Sequence, residues 1–351
     1  MNDHPVPSAS RAKMRSFLWF LLRLGAAGGL IFWLVHTHLG EFQTAFTRLS
    51  YACLALALSI YAGQVLIGAR RWRALLKIAG FEVTVFEATE LTLKASFCSL
   101  FIPGGPLGGD VAKIGFLATR TAKGERFEGA LTILMDRIVG MVGLFLLALV
   151  LLVWKLPLFL SVEIPGVTLN HGWRICGVAL LAGVCVGGLA AMLALFFHAT
   201  LRRIGWIDRL FRLGDRWSRG LVTRLTALFD CYARSWRTLT LWALISLMFI
   251  HYANVVAVYA VIAGLGVIHF APVTVAAAVV VGNIAGLLPV TLSGLGLRDM
   301  VICSLLAAGG VPDQAVIPLL YSAVIILFNL LAGGVFLYDA SSRKYSGRHN
   351  S

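Results

Sequence analysis

Residues 99–115, SLFIPGGPLGGDVAKIG, decide how this chain folds. Residues 103–113 hold two prolines, four glycines, an aspartate and a lysine, set between an apolar run and a basic one. In a soluble protein such a stretch is an ordinary surface loop. The surrounding chain is not soluble in character: its 351 residues are 59% hydrophobic and 13% charged, with a mean hydropathy of +0.86. Apolar runs at 17–35, 51–69, 128–153, 173–198, 238–263 and 313–338 each suit a helix crossing a hydrocarbon layer about 30 Å thick. The expected fold class is an all-α polytopic membrane protein with about six full spans. Residues 99–115 then sit where a loop should be forbidden.

The distribution of charge resolves that conflict. The chain carries a net charge of +14, but its Lys and Arg collect at 11–15, 70–77, 113–126, 199–237 and 343–348, while the intervening loops hold only Arg48 and Lys155. This is the pattern of cytoplasmic loops rather than of a nucleic-acid surface, so both termini are expected in the cytoplasm of a cell inner-membrane protein. The first run contains Arg23 and lacks a small-residue cleavage site, so it reads as an uncleaved helix. Segments 84–101 and 110–119 then have cytoplasmic ends on both sides and form a re-entrant hairpin. Segments 271–288 and 297–308 form a second one, opening outward. Each hairpin lies between two spans, which predicts an inverted repeat, a transporter pattern. The expected organisation is a tail 1–16, one transmembrane domain 17–340 and a tail 341–351. The domain holds a first repeat of about 51–153 and a second of about 238–338. Between them, 199–237 interleaves apolar residues and arginines as an interfacial helix facing anionic lipid headgroups.

Non-helical backbone at membrane depth must line a cavity or be buried in protein. The hairpin tips, Pro103, Gly104, Gly105, Gly108 and Gly109 in one and Pro289, Gly294 and Gly296 in the other, are therefore expected to face a shared site. Helix N-termini there, near Asp110 and Leu297, favour an anion. Lys113, Arg137 and Arg298 are the candidates for holding a headgroup phosphate. Glu90, Lys94, Asp110, Lys113, Asp136 and Arg137 are expected to form one ion network, with Asp110 and Asp299 as helix caps or charge partners and Glu90 or Asp136 as proton couplers. His251 and Asn254 are expected to hydrogen-bond between helices. Cysteines 53, 98, 176, 185, 231 and 303 have no paired spacing, and no metal or nucleotide motif is present, so no cofactor is expected.

At Pro103 with Gly108-Gly109-Asp110, at Asp136-Arg137, and at Pro289, Gly294, Gly296 and Asp299, the chain resembles the lysylphosphatidylglycerol synthase transmembrane-region family of flippase-like domains. The resemblance covers roughly 17–340. Ser293-Gly294 stands where that family often has Gly-Gly, and Asp299 where it often has Glu. Only residues 339–351 follow the last expected span, too few for the soluble transferase domain that some members carry. The resemblance thus implies translocation or handling of a lipid, and with the basic residues at the hairpins the expected function is translocation of an anionic phospholipid or polyprenyl-phosphate-linked lipid. The alternatives are a membrane-embedded lipid-modifying enzyme, with Ser293 and Asp299 as its best pair, and an accessory subunit with a biosynthetic partner protein.

Overall fold

The computed structural model describes residues 39–102, 106–122, 124–163, 170–218, 221–267, 269–288 and 296–336, with positions 29, 32 and 36. Both tails, most of the expected first span 17–35, the tip residues Pro103, Gly104, Gly105, Pro289 and Gly294, and Ser293 lie outside the described residues. Among the described residues the regular structure is helical, with no strand. Apart from two short helices, Leu156–Leu160 and His198–Leu201, the helices are α1 (Leu39–Arg48), α2 (Tyr51–Ile78), α3 (Val85–Cys98), α4 (Pro106–Ala118), α5 (Arg126–Trp154), α6 (His171–Phe196), α7 (Gly205–Trp217), α8 (Leu221–Arg234), α9 (Trp236–Gly264), α10 (Pro272–Ala285), α11 (Leu297–Ala308) and α12 (Val316–Phe336). Of these, α2, α5, α6, α9 and α12 are long and apolar enough to cross a membrane. They occupy five of the six expected spans. One boundary differs with consequences. Helix α2 does not stop at residue 69 but runs on to Ile78, so the basic cluster at 70–77 rides on a helix rather than in a loop.

The remaining apolar helices form two hairpins. At about 1.5 Å per residue, α3, α4, α10 and α11 reach only about 18–21 Å, short of a full crossing. Close contacts fix their antiparallel sense. Gly109 lies against Ala95 and Gly108 against the Ile102 carbonyl, while Gly282 meets Ile302 and Gly309 meets Thr274. Thr84 starts α3 with a capping box: its hydroxyl accepts from the Glu87 N–H at 3.1 Å, and the Glu87 carboxylate accepts from the Thr84 N–H at 2.8 Å. Helix α4 begins with Pro106, a residue suited to a first helical position. Its start is earlier than the expected residue 110, so Asp110 lies inside the helix and does not cap it. Helix α11 begins after Gly296, whose φ of +87° costs glycine little; Asp299 accepts from the Gly296 N–H at 3.2 Å.

The two halves pack alike. Helices α2 and α9 run antiparallel side by side, joined by the Ser50 N–H to the Gly264 carbonyl at 2.8 Å and by Gln64 to Asn254 at 3.1 Å. Helix α3 lodges between α2 and α12, and α10 lodges between α9 and α5. Likewise α4 packs on α5 as α11 packs on α12. The entering helix of each hairpin is thus held by the first helix of its own half and the last helix of the other, and the returning helix by the last helix of its own half. Val255, Ala257, Val258 and Val261 of α9 and Ala277, Ala278 and Val279 of α10 are fully buried, small side chains that let helix backbones approach closely. Helix α6 is peripheral, burying only Cys185 and Met192.

The segment expected as one interfacial helix is two. Helices α7 and α8 are stapled by Asp215, which accepts from the Thr223 N–H at 2.9 Å and hydroxyl at 2.8 Å. A carboxylate that caps the first turn of α8 competes with continuation of α7, so the helix breaks between them. Leu213 and Trp217 remain exposed on α7, beside Arg209, Arg212 and Arg216 in the same stretch.

Candidate functional site

The two hairpins and α2, α5, α9 and α12 line a partly open cavity of about 380 Å³. Four cations line it, Arg71, Lys113, Arg137 and Arg298, against two carboxylates, Asp110 and Asp136. Charge in such surroundings is costly and persists only where it is paired or functional.

Three of the cations have carboxylate partners. Arg137 grips Asp110 through Nε and Nη2 at 2.6 and 2.8 Å, the bidentate geometry that guanidinium groups favour. Asp136 and Arg137 are adjacent and point about 100° apart on α5, and Asp136 takes a different partner. It accepts from Arg71 Nε at 2.7 Å, while Arg71 Nη1 donates to Ser246 at 2.8 Å. Gly140 makes room for that guanidinium, since an added Cβ would lie 2.9 Å from Arg71 Nη1. Arg298 donates to the neighbouring Asp299 at 3.2 Å and to the Ser322 hydroxyl, which itself donates to Asp299 at 2.7 Å. Asp299 is fully buried behind Arg298. With it counted, four cations face three carboxylates, and one positive charge is left over.

That charge sits on Lys113. Its side chain is buried, and the ammonium lies 3.8 Å from the centroid of the Trp72 ring, a cation–π contact. Among the described residues Lys113 forms no salt bridge or hydrogen bond. Trp72 is held by its indole N–H, which donates to Thr132 at 3.1 Å.

Away from Lys113 the wall is built of amides and phenols. Helix α9 contains one wide turn, Leu247–His251, with π-type geometry, an irregularity that recurs at functional sites. Directly after it, the Asn254 amide donates to the Ile250 carbonyl at 2.8 Å. That bond fixes the side chain so that its oxygen accepts from Gln64 at 3.1 Å and from the Tyr321 hydroxyl. The side-chain oxygen of Gln64 is buried without a hydrogen-bond partner among the described residues. The His251 ring bonds the Gly140 carbonyl at 2.8 Å.

Of the residues singled out in the sequence, Gly109, Asp110, Lys113, Asp136, Arg137, His251, Asn254 and Arg298 line the cavity; Asp299 pairs with Arg298, Gly108 packs on Ile102 and Gly296 precedes α11. Glu90 and Lys94 do not belong to it, and the single expected network is two. Thr92, Ala95, Ser96 and Ser99 form the cavity face of α3, whereas Glu90 and Lys94 lie on the next face. There they pair at 2.5 Å, with Arg120 on Glu90 at 3.0 Å and the Lys94 ammonium 5.5 Å from the Phe336 ring centroid. Helical spacing places residues 90 and 94 together but turns them from residues 92, 95 and 99. The reading of the sequence passed over Arg71, Tyr61, Gln64, Asn283, Tyr321, Ser322 and Asn329. A polar side chain inside an apolar run was the available signal for most of them.

The sequence profile of the lysylphosphatidylglycerol synthase TM region matches residues 20–333, and the chain belongs to that family. No curated protein matches the chain. Family and apolar helices together establish a multi-pass membrane protein related to lipid handling.

Proposed function

We propose that this member of the lysylphosphatidylglycerol synthase TM-region family moves an anionic phospholipid or polyprenyl-phosphate-linked lipid from one leaflet to the other. The headgroup passes through the cavity between the hairpins. The observation that carries the proposal is the cavity's excess of positive charge at the meeting point of two short hairpins. The return helices α4 and α11 also bring their N-terminal turns there, through Gly109 and Arg298, adding partial positive charge. Lys113 meets the phosphate first, because Arg137 and Arg298 must exchange a carboxylate for it. The first hairpin opens to the cytoplasm and the second to the outside, in an inner membrane with both termini cytoplasmic. The arginines of α7 and α8 rest on anionic headgroups.

A leaflet-accessibility assay in proteoliposomes tests this directly. Labelled anionic lipids are expected to cross with the wild-type protein and to slow by at least about tenfold in Lys113→Met and Arg298→Ala, the cost of roughly one charge-assisted hydrogen bond. Wild-type rates in both variants sink the proposal. Chemically altered lipid after incubation would replace the transporter with an enzyme.

A further inference from the structure

We propose that the headgroup taken by this cavity is a phosphate joined to a polyhydroxyl group, a polyol or sugar phosphate, with Lys113 on the phosphate and Asn283, Asn329 and Tyr61 on hydroxyls. This deepens the transporter reading and rests on it.

Charge sets the first half of the ligand. Arg71, Arg137 and Arg298 are each bonded to a carboxylate, whereas the Lys113 ammonium sits on the face of Trp72 and is hydrogen-bonded to no carboxylate among the described residues. An aromatic face offsets part of the cost of burying an ammonium, and a single anionic group supplies the rest.

Unpartnered polar groups set the second half. Asn329 is 5% exposed, lines the cavity, and makes no hydrogen bond with any described residue. Asn283 and Tyr61 also line it without such a bond. An amide offers two N–H donors and an acceptor oxygen. A phosphate oxygen only accepts, so it leaves the amide oxygens empty, and a quaternary ammonium has no N–H to give them. A hydroxyl both donates and accepts, and it satisfies either side of the amide.

Distance joins the halves. Lys113 stands over residue 72 of α2 and the phenol comes from residue 61, a separation of about 16 Å along the helix axis. Phosphate alone does not span that gap, whereas a headgroup extended by a polyol ring covers much of it. The 380 Å³ equals about a dozen waters at roughly 30 Å³ each, and lies within the roughly 300–1,000 Å³ range of small-molecule sites.

The test titrates the purified full-length protein with dihexanoyl-phosphatidylinositol, dihexanoyl-phosphatidic acid and free inositol 1-phosphate. Wild type is expected to bind the inositol lipid about tenfold more tightly than phosphatidic acid, as one or two added hydrogen bonds allow. Asn329→Leu removes most of that preference and leaves phosphatidic acid binding unchanged. Lys113→Met weakens both lipids alike. The ratio of affinities within one preparation is insensitive to partial misfolding. Equal affinities in wild type, binding of neither lipid, or a preference that survives both Asn329→Leu and Asn283→Leu overturns the assignment. Inositol 1-phosphate binding as tightly as its lipid keeps the ligand class and removes the lipid from the transporter reading. Headgroup movement in liposomes without the preference does the opposite.

Discussion

Arg71 shows how much a single side chain can hold in place. It ties α2 to α5 through Asp136 and to α9 through Ser246, with both charged partners buried. Removing one member of such a pair strands the other charge and costs about 3–5 kcal/mol, whereas replacing both with apolar groups of similar volume is close to neutral. Arg71→Met and Asp136→Leu are therefore each expected to lower the thermal unfolding midpoint in detergent sharply, and the double variant is expected to recover most of the loss. A double variant no better than the worse single one would contradict this. The sequence concealed the role of Arg71 because orientation rules count basic residues by segment: residues 70–77 and 113–126 entered that count whole. Arg71 was thus read only as a cytoplasmic marker, whereas Lys113 was counted there and also read as a phosphate ligand, and both side chains turn inward. Asp136-Arg137 was legible because charges deep within an apolar run are costly and demand partners.

At the scale of elements, glycines decide how tightly each hairpin closes. A Cβ on Gly108 would lie 2.4 Å from the Ile102 carbonyl oxygen, while one on Gly282 would lie 2.5 Å from Cγ1 of Ile302. Backbone cannot rotate away and a side chain can, so Gly108→Ala is expected to cost more than Gly282→Ala within the roughly 1–3 kcal/mol of overpacking. Thermal unfolding of the two variants ranks them. A different element answers to pH. The Thr223 N–H and hydroxyl hold the Asp215 carboxyl below the usual carboxylate range. A depressed value in the folded state contributes stability above the unfolded value of about 3.9, and loses it as pH falls through the folded value. The α7–α8 staple is thus expected to hold from neutral pH down to about pH 4 and to loosen below that. Limited pepsin cleavage between residues 213 and 225, measured against pH, reads this out, and Asp215→Asn should be cleaved readily at the upper end of the pepsin range as well. The break between α7 and α8 was hidden because an amphipathic pattern continues across it; the interruption depends on a carboxylate meeting a residue eight positions later.

For the whole molecule, spans were legible because about 20 apolar residues admit few alternatives in a bilayer, and the family followed from three short motifs. Of the polar wall only His251 and Asn254 were legible, since the rest is assembled from single residues on α2, α10 and α12 that only packing brings together. The opposite orientation of the hairpins is open to a direct check. In a background without native cysteines, Ala122→Cys is expected to react with impermeant maleimide only from the cytoplasmic side, and Pro312→Cys only from the outside. Labelling of both from one side would refute the inverted arrangement.

Because α3, α4, α10 and α11 all contribute to one cavity wall, any occupant is also a crosslink between the two halves of the chain. Its binding free energy then counts toward folding. At one hundred times its dissociation constant, a ligand of the native state adds about 2.7 kcal/mol of stability. The unfolding temperature of the protein is therefore itself a detector of substrate. A lipid that raises it in the wild type, and fails to do so when Lys113 or Asn329 is removed, is identified as a ligand of the cavity.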